Sequence, residues 1–157
     1  MLPGRQRTAQ AASVLVLVLV VGGCGGDDPQ TYPPGVAEPL GKLEFLREAD
    51  RICHSSEARI EAAADELATE PGGPDPREVE RIALSIAVPA LQTEVRAIRS
   101  LGAPAGDEER IEAILAATER GIAEIEAHPR RLVDGPPPAL RRAERLARRY
   151  GSRECGF

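Results

Sequence analysis

Tryptophan and asparagine are absent from this chain of 157 residues, aromatic side chains make up 3% of it, and Lys42 is its only lysine. The scarcity of rings removes the stacking platforms on which single-stranded nucleic acids are bound, and with them sugar-stacking clefts. Without asparagine there is no N-x-S/T glycosylation acceptor. The basic side chains are almost all arginine, which reads as codon bias rather than function. Twenty Lys and Arg stand against 25 Asp and Glu, for a formal charge of −5. A mildly acidic chain is a poor nucleic-acid binder, so nucleic acid is not an expected partner. Catalytic signatures are missing too: no Gly-x-Ser-x-Gly elbow, no phosphate-cradling glycine loop, and no Glu-x-x-His pair of the kind a di-iron bundle needs. The expectation is a protein that is not an enzyme and needs no cofactor.

The one long apolar run lies near the start. Arg5 and Arg7 precede it, AQAASVLVLVLVVGGC spans residues 9–24, and the small Gly22 and Gly23 sit directly before Cys24. This is the layout of a secretory signal, too short for a membrane-spanning helix. The end, Val21-Gly22-Gly23-Cys24, resembles a bacterial lipoprotein lipobox. That resemblance implies cleavage before Cys24 and a lipid on its sulfur, with the protein held at the cell membrane on the extracytoplasmic side. The remaining 134 residues, enough for one domain with a real core, would carry 18 basic and 25 acidic side chains, a formal charge of −7. With Cys24 taken by the lipid, Cys53 and Cys155 are left. An even pair in an exported protein reads as a disulfide, with free thiols or a metal site as the alternatives.

Residues 24–41 hold Gly, Pro and acids and read as a flexible tether behind the signal peptide of residues 1–23. Residues 42–157 then carry four helical patterns. In the first, from Lys42 to Glu70, Phe45, Ala49, Ile52, Ser56, Ile60, Ala63 and Leu67 step by three or four. A run of Pro and Gly at 71–76 ends it. The second spans Arg77 to Leu101, with Leu84, Val88, Leu91, Val95 and Ile98 along one side and Val79, Ile82 and Ile86 widening it. Pro89 predicts a kink or short break there, because it removes a backbone donor and crowds the Ser85 carbonyl. Such a kink also offers a small apolar pocket. The third starts at Asp107, a good N-cap residue, and buries Ile111, Leu115, Thr118, Ile122 and Ile125 before Pro129 closes it. The fourth is short, with Leu140, Ala143, Leu146 or Ala147, and Tyr150 inward and Gly151 suited to the C′ position. No alternating β-branched run follows the signal peptide, so no sheet is expected. The fold class is all-α, a small antiparallel bundle of about four helices closed by one disulfide.

Three segments carry a wider likeness: Ala49-Asp50-Arg51-Ile52-Cys53 on the first helix, Leu101-Gly102-Ala103-Pro104 before an acidic helix start, and Tyr150-Gly151-Ser152-Arg153-Glu154-Cys155-Gly156 at the end. The layout over residues 43–157 resembles small secreted or lipid-anchored proteins of actinobacteria without assigned function. The likeness implies the helical fold and the cysteine pairing, and supplies no catalytic residues.

Two side-chain groups are candidate sites. Asp50, His54 and Glu57 fall on one helix face, where carboxylates and an imidazole suit a divalent metal; a solvated polar face is the competing reading. The other histidine, His128, beside Pro129, suits a helix end. Ser55 and Ser56 flank Cys53 with no base at a readable spacing. The C-terminal end is rich in arginine: Arg130, Arg131, Arg141, Arg142, Arg145, Arg148, Arg149 and Arg153 face only Asp134, Glu144 and Glu154. Arg141, Arg142, Arg145, Arg148 and Arg149 form a basic patch on the last helix. It is either neutralised against the acidic first half of the domain or turned toward anionic lipid or acidic envelope polymer. The expected function is therefore a lipid-anchored, non-catalytic binding or structural role at the cell envelope. Its partners are the membrane through Cys24 and an envelope protein, anionic lipid or wall polymer. A small-ligand or metal-binding lipoprotein is the alternative, followed by an enzyme with no readable motif.

Overall fold

The computed structural model describes residues 39–68 and 73–155, which fall within one compact unit. The signal peptide expected over residues 1–23, the lipidation site Cys24 and the tether up to residue 38 lie outside the described residues. Helix α1 (Lys42–Ala68) comes first. Helix α2 (Pro76–Ile82) runs without a loop into a π-helical segment (Ala83–Ala87) and then α3 (Val88–Ser100). Helix α4 (Glu108–Ala127), a 3-10 helix (Pro129–Asp134) and α5 (Pro138–Tyr150) complete the order. No strand occurs among the described residues. Helix α1 packs on α3, α3 on α4, and α5 on α4. The architecture is an all-α bundle closed by the Cys53–Cys155 disulfide.

The apolar stripes of the sequence become the core. Phe45, Ala49 and Cys53 of α1 meet Leu91, Val95 and Ile98 of α3, Ile111, Leu115, Ile122 and Ile125 of α4, and Leu140 and Tyr150 of α5. The core, the disulfide and the helix ends are all supplied within the compact unit, so the chain from Gly35 onward has what a domain needs to fold by itself. Local signals act as their chemistry dictates. Asp75 accepts from the Arg77 backbone N–H at 2.9 Å ahead of Pro76 in the first turn of α2, satisfying an orphan donor where proline needs none. At the end of α5, Gly151 adopts φ +120°. Its N–H bonds the Arg148 carbonyl while Ser152 N–H reaches back to Ala147, the paired bonds of a Schellman cap. Gly121 has a different purpose. A Cβ there would collide with the buried Leu140 side chain and come within 3.0 Å of the Leu140 backbone nitrogen. Glycine at 121 is what lets α4 and α5 approach so closely.

Two expectations need correction. The break associated with Pro89 does not fall at Pro89. The proline sits in the first turn of α3, and the helix is interrupted upstream by the π segment, whose closing bond runs from Val88 N–H to the Ala83 carbonyl. A π turn takes in an extra residue and shifts the helical phase. Consequently Leu84, expected on the inward side, is 43% exposed, and Ala83 and Ala87 take the buried positions. Asp107 occupies the N-cap position of α4, but its side chain makes no capping bond. The carboxylate is instead drawn to Tyr150, which donates its hydroxyl at 3.0 Å, and to Lys42 and Arg110.

Candidate functional site

The candidate metal face of Asp50, His54 and Glu57 comes apart once the C-terminal segment folds back. Asp50 accepts from the Ser152 hydroxyl at 2.6 Å and from the backbone N–H groups of Arg153 and Glu154 at 3.1 and 3.3 Å. It clasps the tail beside the disulfide. His54 pairs with Glu154 at 3.7 Å rather than with Asp50 or Glu57. Among the described residues no group of His, Cys, Asp and Glu is arranged to hold a metal ion. Asp50→Ala is expected to cost about 2 kcal/mol, the usual loss for hydrogen bonds to a charged group. Comparing urea midpoints of variant and parent checks this; an unchanged midpoint rejects the clasp.

Beside the clasp, Tyr150, Asp107, Lys42 and Phe45 join the start of α1, the start of α4 and the end of α5. Lys42 Nζ lies 4.2 Å from the Tyr150 ring centroid, and Phe45 meets the same ring edge-on at 6.3 Å. Burial and the bond to Asp107 push the Tyr150 hydroxyl up to about 12. For Asp107, burial pushes its carboxyl upward, but hydrogen bonds from Tyr150 and Arg110 and the charges of Lys42 and Arg110 outweigh it and leave the carboxyl below its usual value. The cluster fastens three elements and leaves Asp107 no free oxygen facing a cavity.

Sequence reasoning missed the buried acid of the bundle. Glu94 is 8% exposed and lies on α3 opposite Ser56 of α1, whose hydroxyl is buried and closes no hydrogen bond of standard geometry. Desolvation pushes the Glu94 carboxyl up to about 7; the nearby Ser56 hydroxyl partly opposes this and the Glu57 charge adds to it. A signal existed. Ala87, Leu91, Glu94 and Ile98 step by four, three and four, so Glu94 occupies a core position in the α3 stripe. It borders a small recess of about 40 Å³ shared with Thr118 and Tyr150, room enough for a water.

A cleft of about 510 Å³ opens alongside the π segment. Ile60 and Ala64 of α1, Ala83 and Ala87, Leu91 and Ile125 form its apolar walls, and among the described residues Glu57 and Glu61 are the only charged ones that line it. Burial is the first cause of a raised Glu57 carboxyl, followed by repulsion from Glu61 and Glu154, with His54 opposing. The sequence-level expectation of a pocket beside the interrupted second helix thus has a counterpart, displaced to the π segment.

The arginines of α5 form one face. Leu140, Ala143, Ala147 and Tyr150 are buried, and Arg141, Arg142, Arg145, Arg148 and Arg149 are exposed on the side opposite. Arg148 pairs with Glu144 of its own helix at 2.8 Å, and Arg141 donates to the Pro136 carbonyl. No ion pair with α1 involves any of the five among the described residues, whereas Arg130 of the 3-10 helix does reach Glu80 of α2 at 2.8 Å. His128 closes α4 with its backbone N–H on the Glu124 and Ile125 carbonyls, and its side chain is exposed. Ser55 is exposed as well. No helix of the described residues is long and apolar enough to cross a membrane. No protein-family model matches the chain, and neither does any curated protein or solved structure.

Proposed function

We propose that this chain is a lipid-anchored, extracytoplasmic helical domain with a non-catalytic binding role at the cell envelope, and that α5 is the surface it presents to anionic headgroups. The observation that carries the reading is the arginine face, set opposite the buried side of α5 and without ion pairs to α1. A disulfide between Cys53 and Cys155 suits an oxidising compartment. The lipobox-like sequence at Cys24 and the likeness to small actinobacterial lipoproteins point the same way. Pro39 lies fifteen positions along the chain from Cys24, a span of at most about 55 Å fully extended, so a lipid at Cys24 would hold the domain near a headgroup layer. A basic surface beside a lipid anchor is a known second signal for holding a domain on an anionic membrane.

The test uses the chain from Gly35 onward and vesicles of phosphatidylcholine with and without phosphatidylglycerol. Binding is expected to require the anionic lipid and to weaken as salt shortens the screening length. Each arginine near such a surface contributes about 1 kcal/mol, so Arg145→Ala with Arg149→Ala should weaken binding about 30-fold. Co-sedimentation at two ionic strengths reads this out. Binding that ignores salt or the paired substitution ends the proposal.

A further inference from the structure

We propose that the cleft beside the π segment is a binding site for a small amphiphile with an apolar body and a cationic, ammonium-type head. The inference is independent of the membrane-surface reading, because the cleft lies between α1 and the π segment and shares no wall with the arginines at 142, 145, 148 and 149.

Three observations converge. The volume, about 510 Å³, lies in the range of small-molecule sites. The walls are shaped by small residues at the points where helices would otherwise close. Ala83 and Ala87 sit on the inner side of the wide turn, and Ala64 faces them from α1. π turns persist at functional positions because their irregular backbone is otherwise a cost. Finally, the polar part of the lining is of one sign. Glu57 and Glu61 stand one helical turn apart on α1, and among the described residues no arginine or lysine lines the cleft and neither acid makes an ion pair. An apolar anion would meet both carboxylates unscreened, and a neutral apolar body would leave them facing each other. An ammonium head at the mouth relieves their mutual repulsion while the body removes apolar wall from water. The raised Glu57 carboxyl agrees with that repulsion.

The test titrates the chain from Gly35 onward, purified without detergent, with decyltrimethylammonium, decyl sulfate and decanol, each below its micellar concentration, by calorimetry and by amide shifts. The ammonium compound should bind at a single site, with shifts centred on Ala64, Ala83 and Ala87, and more tightly than the other two. Glu57→Gln with Glu61→Gln should weaken ammonium binding about tenfold and leave decanol unchanged. Glu61 is exposed and Glu57 half-buried, and neither makes a hydrogen bond or ion pair that the Gln pair would break among the described residues; a circular dichroism melt verifies that the double variant keeps the fold. Ala64→Phe, at an exposed position on the cleft wall, should block all three compounds. Equal or tighter binding of decyl sulfate, ammonium binding indifferent to the Gln pair, or shifts centred elsewhere would each overturn the proposal, as would no binding by any of the three.

Discussion

Reducing the Cys53–Cys155 bridge is expected to lower the unfolding free energy by about 4–5 kcal/mol. The bond links residues 102 apart in sequence. Cutting it returns to the unfolded chain nearly all the freedom of the domain, and the loss grows with the logarithm of loop length. The native side adds to the argument. Cys53 is 2% exposed in the α1 core, and Cys155 arrives there through the Ser152–Glu154 turn that Asp50 holds. A reduced chain would rely on that clasp and on the exposed His54–Glu154 contact to keep the C-terminal segment on α1. Since a domain is typically stable by about 5–15 kcal/mol, reduction removes from about a third to nearly all of that stability. Urea titrations of oxidised and reduced chain from Gly35 onward, which lacks Cys24, read the difference directly. A change below 1 kcal/mol would show that the bridge decorates a fold already secured by packing.

Much of this architecture is written locally. The stripe from Phe45 through Ala63 buries as its spacing requires, and so does the one from Ile111 to Ile125, because a 3.6-residue period leaves an amphipathic helix only one side to hide. Gly151 and Asp75 act at helix ends where the backbone dictates what is needed. The features that escaped are those set by a partner distant in sequence. Leu84 turns outward because the π segment changes phase, and nothing in residues 83–87 states that a wide turn will be chosen over a kink. Asp107 looks like a cap until Tyr150 arrives from 43 residues away. Asp50 looks like a metal ligand until the tail delivers Ser152 and two backbone N–H groups. The arginine face was visible as composition and periodicity. Whether it meets α1 depends on how α5 is placed, and Gly121 settles that by admitting Leu140 against α4. Glu94 was hidden by its own chemistry: a carboxylate at a core position reads as an interruption of the stripe, although it belongs to it.

That carboxylate makes the domain's stability depend on pH in a direction opposite to most acids. The Glu94 carboxyl is held up at about 7 in the folded bundle against 4.5 in an exposed chain, chiefly by desolvation. The native state therefore holds a proton that the unfolded state releases. Below about pH 4.5 both states are protonated, and Glu94 contributes no penalty. Between about 4.5 and 7 the unfolded chain ionises while the native one does not, so stability falls as pH rises. Above about 7 both are charged, and the full cost of burying the charge is present, about 3 kcal/mol for this shift. The groups facing Glu94 do not rescue the charge. Ser56 and Glu57 approach from α1, and Thr118 and Glu144 share the small recess from α4 and α5. Arg51 and Arg59 line a recess that Glu94 also borders, but both are exposed and neither pairs with it. Glu94→Gln keeps the shape and removes the titration. It should match the parent near pH 4.5 and be more stable by about 3 kcal/mol at pH 8. Urea unfolding of the pair across pH 4.5–8.5 gives the result as two curves that diverge upward in pH. Parallel curves would mean that Glu94 is already ionised in the fold, with water in the 40 Å³ recess solvating it. In that case the polar pair across α1 and α3 would be a hydrated seam rather than a dry one.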